Sequence, residues 1–186
     1  MHDSTASRIL VIDDNATIHN DFRLVLEDGD ENDDDLVNEE SLLFGTAVEN
    51  KPPAQRYELE FASQGEDGVA LLRKRLREGK PFDCAFVDIR MPPGIDGVET
   101  TVRIWEFDDV PVVLCSAYSD YSWHDIFRHL GKSDGLFILK KPFEAIEVRQ
   151  LAMALTERRR KERLQRRQVK TDDAVSARPP DWWKSG

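Results

Sequence analysis

Long apolar runs and cysteines are both scarce in this 186-residue chain. No run approaches the roughly 20 residues that a membrane-spanning helix needs, and residues 1–7 lack the apolar core of a signal peptide. We therefore expect a cytoplasmic protein that does not bind membranes. The two cysteines, Cys84 and Cys115, lie in apolar runs with no His or second Cys at metal-ligand spacing. This context predicts buried, reduced thiols.

Lys and Arg are absent between residues 27 and 50, where the sequence has ten acidic residues. This stretch alone matches the net charge of the chain, which is −10. Residues 149–170 have the opposite bias, with nine basic residues and two acidic ones. The length and composition fit one domain of ordinary size with charged appendages, and charge runs of this kind are usually solvated.

Five segments have the patterns of strands. Four are short, nearly continuous apolar runs, which are typical of strands buried on both faces of a parallel sheet: Ile9–Ile12, Cys84–Val87, Val110–Cys115 and Leu136–Leu139. In the fifth, Tyr57–Phe61, apolar and acidic residues alternate. That alternation predicts a half-exposed strand at a sheet edge.

Helical periodicity separates these strands. Asp14 or Asn15 would cap the first helix, a fourth helix would end at Gly131, and a fifth would begin near Glu144. Because strands and helices alternate five times, the sequence predicts a three-layer, doubly wound α/β domain with right-handed crossovers. Such a sheet binds its ligands at the carboxyl ends of the strands.

Polar residues that the strands do not need follow the four buried runs: Asp13 and Asp14, Asp88, Ser116, and Lys140 with Lys141. Singly, each has a structural explanation as a helix cap, a turn residue or a solvated strand end. Together, three carboxylates at one edge would repel one another and need a cation to stay ionised. Oxygen ligands without His or Cys favour Mg²⁺, with Mn²⁺ as an alternative. Such a metal would attract phosphate and allow one carboxylate to act as a nucleophile.

Over residues 7–156 the sequence resembles the receiver domains of two-component response regulators. The motifs that carry this resemblance are Asp13-Asp14 after an apolar strand, Asp88 followed by Met91-Pro92 and Asp96-Gly97, Ser116-Ala117, and Lys141-Pro142-Phe143. The resemblance implies a flavodoxin-like fold in which five parallel strands have the order 2-1-3-4-5. It also implies a signalling role, with no catalysis beyond the protein's own phosphorylation and dephosphorylation.

The resemblance further implies that Asp88 accepts a phosphoryl group from a sensor histidine kinase or a histidine phosphotransfer protein. Ser116 and Lys141 would bind the phosphoryl oxygens, and we choose Lys141 over Lys140 because it directly precedes Pro142. Four ligands would hold Mg²⁺: Asp13, Asp14, Asp88 and the backbone carbonyl of Arg90.

Departures from the family pattern bear on switching and on the lifetime of the phosphorylated state. Ile138 stands where the family usually has Tyr or Phe, with Phe137 one residue earlier, which leaves open how phosphorylation is reported.

Pro93 adds a second proline to the loop after Asp88 and should stiffen it. Arg90 and Tyr118 lie two residues beyond Asp88 and Ser116. Their bulk would screen an aspartyl phosphate from water and prolong its lifetime.

We predict a receiver domain at residues 1–156 and a basic helical extension and tail at residues 157–186. An acidic insertion at residues 28–55 separates the first helix from the second strand. Its stretch Asp28–Asp35 is most simply a solvated loop, and an alternative for the apolar residues that follow is a short helix packed on the domain or on a partner: Leu36, Val37, Leu42, Leu43 and Phe44. Residues 157–170 would be a solvated continuation of the last helix. Alternatively, the acidic and basic segments would pair within one chain or across a homodimer.

We expect no output module within these 186 residues, and therefore output through contacts with a downstream protein. The resemblance places these contacts on the face of the fourth helix, fifth strand and fifth helix. Nucleic-acid binding is disfavoured because no recognition motif accompanies the basic run.

Three functions are alternatives to a stand-alone signalling switch: the N-terminal receiver of a larger multidomain regulator, a receiver-like module that is never phosphorylated, and a Mg²⁺-dependent phosphohydrolase with Asp88 as nucleophile. Haloacid-dehalogenase enzymes would have an acid where this chain has Arg90.

Overall fold

The computed structural model describes residues 6–27, 56–117, 123–131 and 134–176. Within these residues five strands alternate with five helices. In chain order they are β1 (Ser7–Ile12), α1 (Ala16–Leu26), β2 (Tyr57–Ala62), α2 (Gly65–Arg77), β3 (Cys84–Asp88), α3 (Gly97–Trp105), β4 (Val112–Ser116), α4 (Trp123–Leu130), β5 (Leu136–Lys140) and α5 (Ala145–Ser176). The predicted acidic insertion at 28–55, Tyr118 and the tail beyond Ser176 lie outside the described residues.

The strands form one parallel sheet with the order β2-β1-β3-β4-β5. This order and the flanking helices confirm the predicted flavodoxin-like, doubly wound fold. In the register, Ile9 of β1 lies between Leu59 of β2 and Cys84 of β3. Strand β4 begins two residues later than predicted, after Pro111, which has no backbone N–H to donate to a neighbouring strand.

The two faces of the sheet bury separate apolar layers, because successive side chains of a strand point to opposite faces. Leu10, Val87 and Leu114 belong to the layer that includes Leu72 of α2, Ile104 of α3 and Ile126 of α4. The other layer joins the sheet to helices α1 and α5 through Val11, Phe86, Val113, Phe22 and Val148. The continuous apolar runs of the sequence are therefore explained by burial on both faces.

Both thiols are buried within this core, as predicted, and both are free of disulfide bonds. Burial raises the pKa of Cys84 and raises that of Cys115 to about 12. These thiols are accordingly protonated and unreactive in the folded protein.

Helix α5 runs without a break from Ala145 to Ser176, so it continues past the boundary predicted after residue 156. Residues 157–170 continue the last helix, as predicted, but one face of their first two turns is not solvated. Arg159 is buried, with 4% of its surface exposed, and donates to the Asp109 carbonyl and to the Asp108 carboxylate. The adjacent turn is held by Arg163, which donates to the Asp83 carboxylate at 2.6 Å.

These ion pairs lie where β3 and β4 begin, and we call this region the amino edge of the sheet. It comprises Phe82, Asp83, Asp108 and Asp109 together with the α5 side chains that contact them.

None of the helices in the described part of the chain is both long enough and apolar enough to cross a membrane.

Candidate phosphoacceptor site

The opposite end of the sheet brings the predicted site residues together. Asp13 and Asp14 directly follow β1, Asp88 ends β3, Ser116 ends β4, and Lys141 directly follows β5. We call this group of five residues the carboxyl edge. Because the strands are parallel and in register, their carboxyl ends meet at one place, and the Lys141 backbone N–H donates to the Ser116 carbonyl at 2.8 Å.

Three carboxylates form a compact cluster at the carboxyl edge. One oxygen from each of Asp13, Asp14 and Asp88 lies within 4.8 Å of the others. Asp13 and Asp88 are buried, with 2% and 8% of their surfaces exposed, whereas Asp14 is exposed to solvent. This set of hard oxygen donors, open on one side, fits a hydrated Mg²⁺ ion, which keeps several water ligands and takes few protein carboxylates.

Lys141 bridges the two buried carboxylates. Its Nζ donates to Asp13 Oδ2 at 2.8 Å and to Asp88 Oδ1 at 2.6 Å. Burial by itself would lower the pKa of Lys141, but its hydrogen bonds to both carboxylates outweigh burial and raise that pKa. The ammonium therefore stays charged. The neighbouring Lys140 is exposed.

The Asp88 carboxyl is held in an environment that disfavours its charge. Burial raises its pKa, Lys141 opposes this rise, and the charges of Asp13 and Asp14 add to it, so that the pKa remains above its usual value. One ammonium does not compensate three carboxylates. A bound cation would favour ionised Asp88 and thereby its reactivity as a nucleophile.

Ser116 and Asp13 each make a local contact that fixes their place at the edge. The Ser116 hydroxyl donates to the Ala117 carbonyl at 3.0 Å, and the Ser116 side chain is buried. Asp13 Oδ1 accepts from the Asn15 backbone N–H at 2.9 Å. Asn15, rather than Asp14, caps α1 by accepting from the Thr17 N–H, which leaves the Asp14 carboxylate at the site.

Gly97 allows α3 to begin directly against the strand that carries Asp88. A Cβ atom at this position would lie 2.2 Å from the Asp88 carbonyl oxygen, which is backbone and cannot move aside cheaply. The Gly97 N–H donates to the Ile89 carbonyl at 2.9 Å. Its neighbour Asp96 caps α3 through the Glu99 N–H at 2.8 Å and does not join the carboxylate cluster.

The described residues among those predicted to modulate switching do not form one cluster. Arg90 is exposed in the loop after β3, and Tyr118 lies outside the described residues. Ile138 packs against the layer of α2, α3 and α4, whereas Phe137 packs against the layer of α1 and α5. Phe137 therefore lies on the opposite face of β5 and cannot substitute for an aromatic residue at position 138.

Sequence reasoning missed two residues that contact the loop after Asp88. Gln64 and Glu66, at the start of α2, accept hydrogen bonds from the Gly94 and Ile95 backbone N–H groups. The partners are 30 and 29 residues apart in sequence, and no local pattern indicates such a contact.

The fold and this site define a class of protein, and comparison with known families agrees. The profile of the response regulator receiver domain family matches residues 39–153. The chain belongs to this family, whose general role is phosphorylation-dependent switching in two-component signalling. The match begins after β1, so Asp13 and Asp14 lie outside it.

Individual relatives are consistent with this assignment. The transcriptional regulatory protein AfsQ1 of Streptomyces coelicolor is 38% identical over 85 residues, which are 46% of this chain and 35% of AfsQ1. The chain thus spans about a third of the length of that curated relative. Two solved structures share the fold alone. A response regulator receiver protein from Sinorhizobium medicae has 22% identity and a TM-score of 0.56, covering 83% of this chain and 97% of its own. A CheY-like receiver domain protein from Methanospirillum hungatei has 18% identity and a TM-score of 0.58, covering 85% and 99%.

Proposed function

We propose that Asp88 is the phosphoacceptor of a signalling switch, and that its phosphorylation depends on Mg²⁺. The observation that carries this proposal is the Lys141 ammonium between Asp13 and Asp88, with Asp14 beside them. Strand β3 lies between β1 and β4 in the sheet. Asp88 consequently has the other two carboxylates on one side and the Ser116 hydroxyl on the other, where a phosphoryl group would need a donor.

In the transfer itself, a carboxylate oxygen of Asp88 forms a bond to the phosphorus of a phosphohistidine. The phosphorus–nitrogen bond breaks, and its electron pair returns to the imidazole of the donor. Ser116 Oγ turns from the Ala117 carbonyl to donate to one phosphoryl oxygen, and Lys141 Nζ moves from Asp88 to another. Asp13, Asp14, Asp88 and the Arg90 carbonyl would hold Mg²⁺, which neutralises charge on the transferring group.

The partners follow from this role. The phosphodonor would be a sensor histidine kinase or a histidine phosphotransfer protein in the cytoplasm, and the downstream target a protein. We place output on the face formed by α4, β5 and α5. A homodimer through the same face is an alternative. Because AfsQ1 is far longer than its matched segment, the alternative proposal is that this chain is the receiver part of a larger regulator.

A phosphorylation assay tests the proposal directly. Incubation with acetyl phosphate and Mg²⁺ should give a stoichiometric, acid-stable and base-labile adduct on the wild-type protein. Asp88→Asn keeps the side-chain shape and should abolish the adduct, while Asp67→Asn, on an exposed carboxylate of α2, should not. Multiple turnover of ordinary phosphate esters would instead indicate a phosphohydrolase. Absence of any adduct would indicate a receiver-like module that is not phosphorylated.

A further inference from the structure

The loop between β3 and α3, residues 89–96, carries Arg90 and has two differently anchored ends. At its start, Ile89 and Met91 are almost completely buried, and the Ile89 carbonyl accepts from the Gly97 N–H. Its later part runs over the surface, where Pro92, Pro93 and Gly94 are exposed. Ile89 and Met91 anchor the loop in the core on either side of Arg90, and the Met91 carbonyl accepts from the Gly94 N–H at 3.1 Å, so the exposed part closes as a turn onto the residue that follows Arg90.

The first turn of α2 holds the exposed part. Gln64 Oε1 accepts from the Gly94 backbone N–H at 3.1 Å, and Glu66 Oε1 accepts from the Ile95 backbone N–H at 3.3 Å. Two adjacent peptide groups of the loop are therefore bound by side chains of a separate element, and the Gly94 N–H is shared between Gln64 and the Met91 carbonyl. Neither Gln64 nor Glu66 belongs to the carboxyl edge.

The contact is close on both sides, although at Gly94 the nearest atoms are the ends of flexible side chains. A Cβ atom on Gly94 would lie 2.4 Å from Gln64 Oε1 and 2.8 Å from Glu66 Oε2. A Cβ atom on Gly65, between the two contacting residues, would lie 2.1 Å from Thr100 Oγ1 and 2.6 Å from Ile95 Cγ1. At Gly65 the start of α2 thus fits against Ile95 of the loop and Thr100 of α3 without room for a further atom.

We propose that Gln64 and Glu66 are positioning residues that fix the loop and thereby set the affinity of the site for Mg²⁺. This inference rests on the proposed function, in which the Arg90 carbonyl is a metal ligand. Mg²⁺ requires near-octahedral geometry at about 2.1 Å, so a small displacement of a loop carbonyl weakens binding. Groups that orient ligands from outside the coordination shell commonly have measurable effects on metal affinity.

The test compares two double variants. Gln64→Ala with Glu66→Ala removes both acceptors, whereas Gln64→Glu with Glu66→Gln keeps an acceptor oxygen at each position and the same net charge. Calorimetric titration with Mg²⁺ alone should give an affinity about fivefold weaker for the first variant and close to wild type for the second. Asp67→Ala, a neighbouring exposed carboxylate, controls for the loss of charge and should bind as wild type does.

A second measurement separates positioning from general damage to the fold. With acetyl phosphate as donor, the alanine variant should need about five times more Mg²⁺ for half-maximal phosphorylation but reach the wild-type rate at saturation. Wild-type Mg²⁺ affinity in the alanine variant would overturn this inference and leave the proposed function standing. An equal loss of Mg²⁺ affinity in Asp67→Ala would also overturn it. So would a maximal rate that is lowered both in the alanine variant and in Gln64→Glu with Glu66→Gln. If wild type binds no Mg²⁺, the proposed function fails, and this inference with it.

Discussion

The two edges of the same sheet both hold buried charge, yet they balance it differently. At the amino edge, Asp108 is matched by Arg159, and Asp83 by Arg163. Each of these two carboxylates has a guanidinium of its own. At the carboxyl edge, three carboxylates share one ammonium.

The difference separates a structural role from a functional one. A buried charge is costly unless it is paired, and paired charges at the amino edge can dock α5 without further ligands. Asp83 also accepts from the Arg8 backbone N–H at 2.8 Å, which ties the same carboxylate to β1. The carboxyl edge keeps a surplus of negative charge, and this surplus is what makes it suited to a cation and then to a phosphoryl group.

The largest expected effect comes from removing the one ammonium of the carboxyl edge. Lys141→Ala should slow phosphorylation by acetyl phosphate roughly 500-fold, since a donor to the transferring group is lost. Mg²⁺ affinity should rise in the same variant, because the cation would no longer compete with a positive charge.

Lys140→Ala is the matched control, since Lys140 is exposed beside Lys141. It should leave both the phosphorylation rate and the Mg²⁺ affinity unchanged. Wild-type phosphorylation in Lys141→Ala, or equal losses in the two variants, would remove the distinction between the adjacent lysines.

Breaking a pair at the amino edge should affect stability and not the site. Arg159→Ala leaves the partly buried Asp108 carboxylate without its guanidinium and should lower the free energy of unfolding by about 3 kcal/mol. Arg160→Ala, at the next and exposed position, should change it by less than about 0.5 kcal/mol. Urea denaturation measures both.

Mg²⁺ affinity should be the same in the two arginine variants as in wild type. If Arg159→Ala is as stable as Arg160→Ala, the amino edge does not dock α5 through this pair. If its Mg²⁺ affinity changes together with its stability, the two edges are not independent.

The smallest expected effect concerns the lifetime of the phosphorylated state. Arg90 and Tyr118 are predicted to hinder the approach of water to the aspartyl phosphate, so Arg90→Ala with Tyr118→Ala should speed dephosphorylation by about fivefold. The decay of the adduct after removal of the phosphodonor measures this rate. Equal lifetimes in the variant and in wild type would contradict the prediction.

The sequence predicts the carboxyl edge well because its signals are local. An apolar run followed by a polar residue marks each strand end, and the parallel order then brings Asp13, Asp88 and Ser116 together without further information. Alternation along β5 likewise indicates that Phe137 and Ile138 face opposite sides.

The amino edge is hidden from sequence reasoning because its contacts are distant. Arg159 and Arg163 look like ordinary members of a basic run, and their partners lie 51 and 80 residues away. The hydrogen bonds of Gln64 and Glu66 are hidden for the same reason. Which members of a charge run are buried depends on where the helix passes the sheet, and that is a property of the tertiary structure.

A calorimetric Mg²⁺ titration of two matched double variants tests the central claim most directly. Asp13→Asn with Asp14→Asn neutralises two carboxylates at the carboxyl edge, and Asp83→Asn with Asp108→Asn neutralises two at the amino edge. Both variants are titrated at a temperature where each is folded. We predict that the first loses Mg²⁺ binding and the second retains the wild-type affinity. Retention of binding in the first variant, or equal loss in both, would contradict the assignment of the cation site to the carboxyl edge.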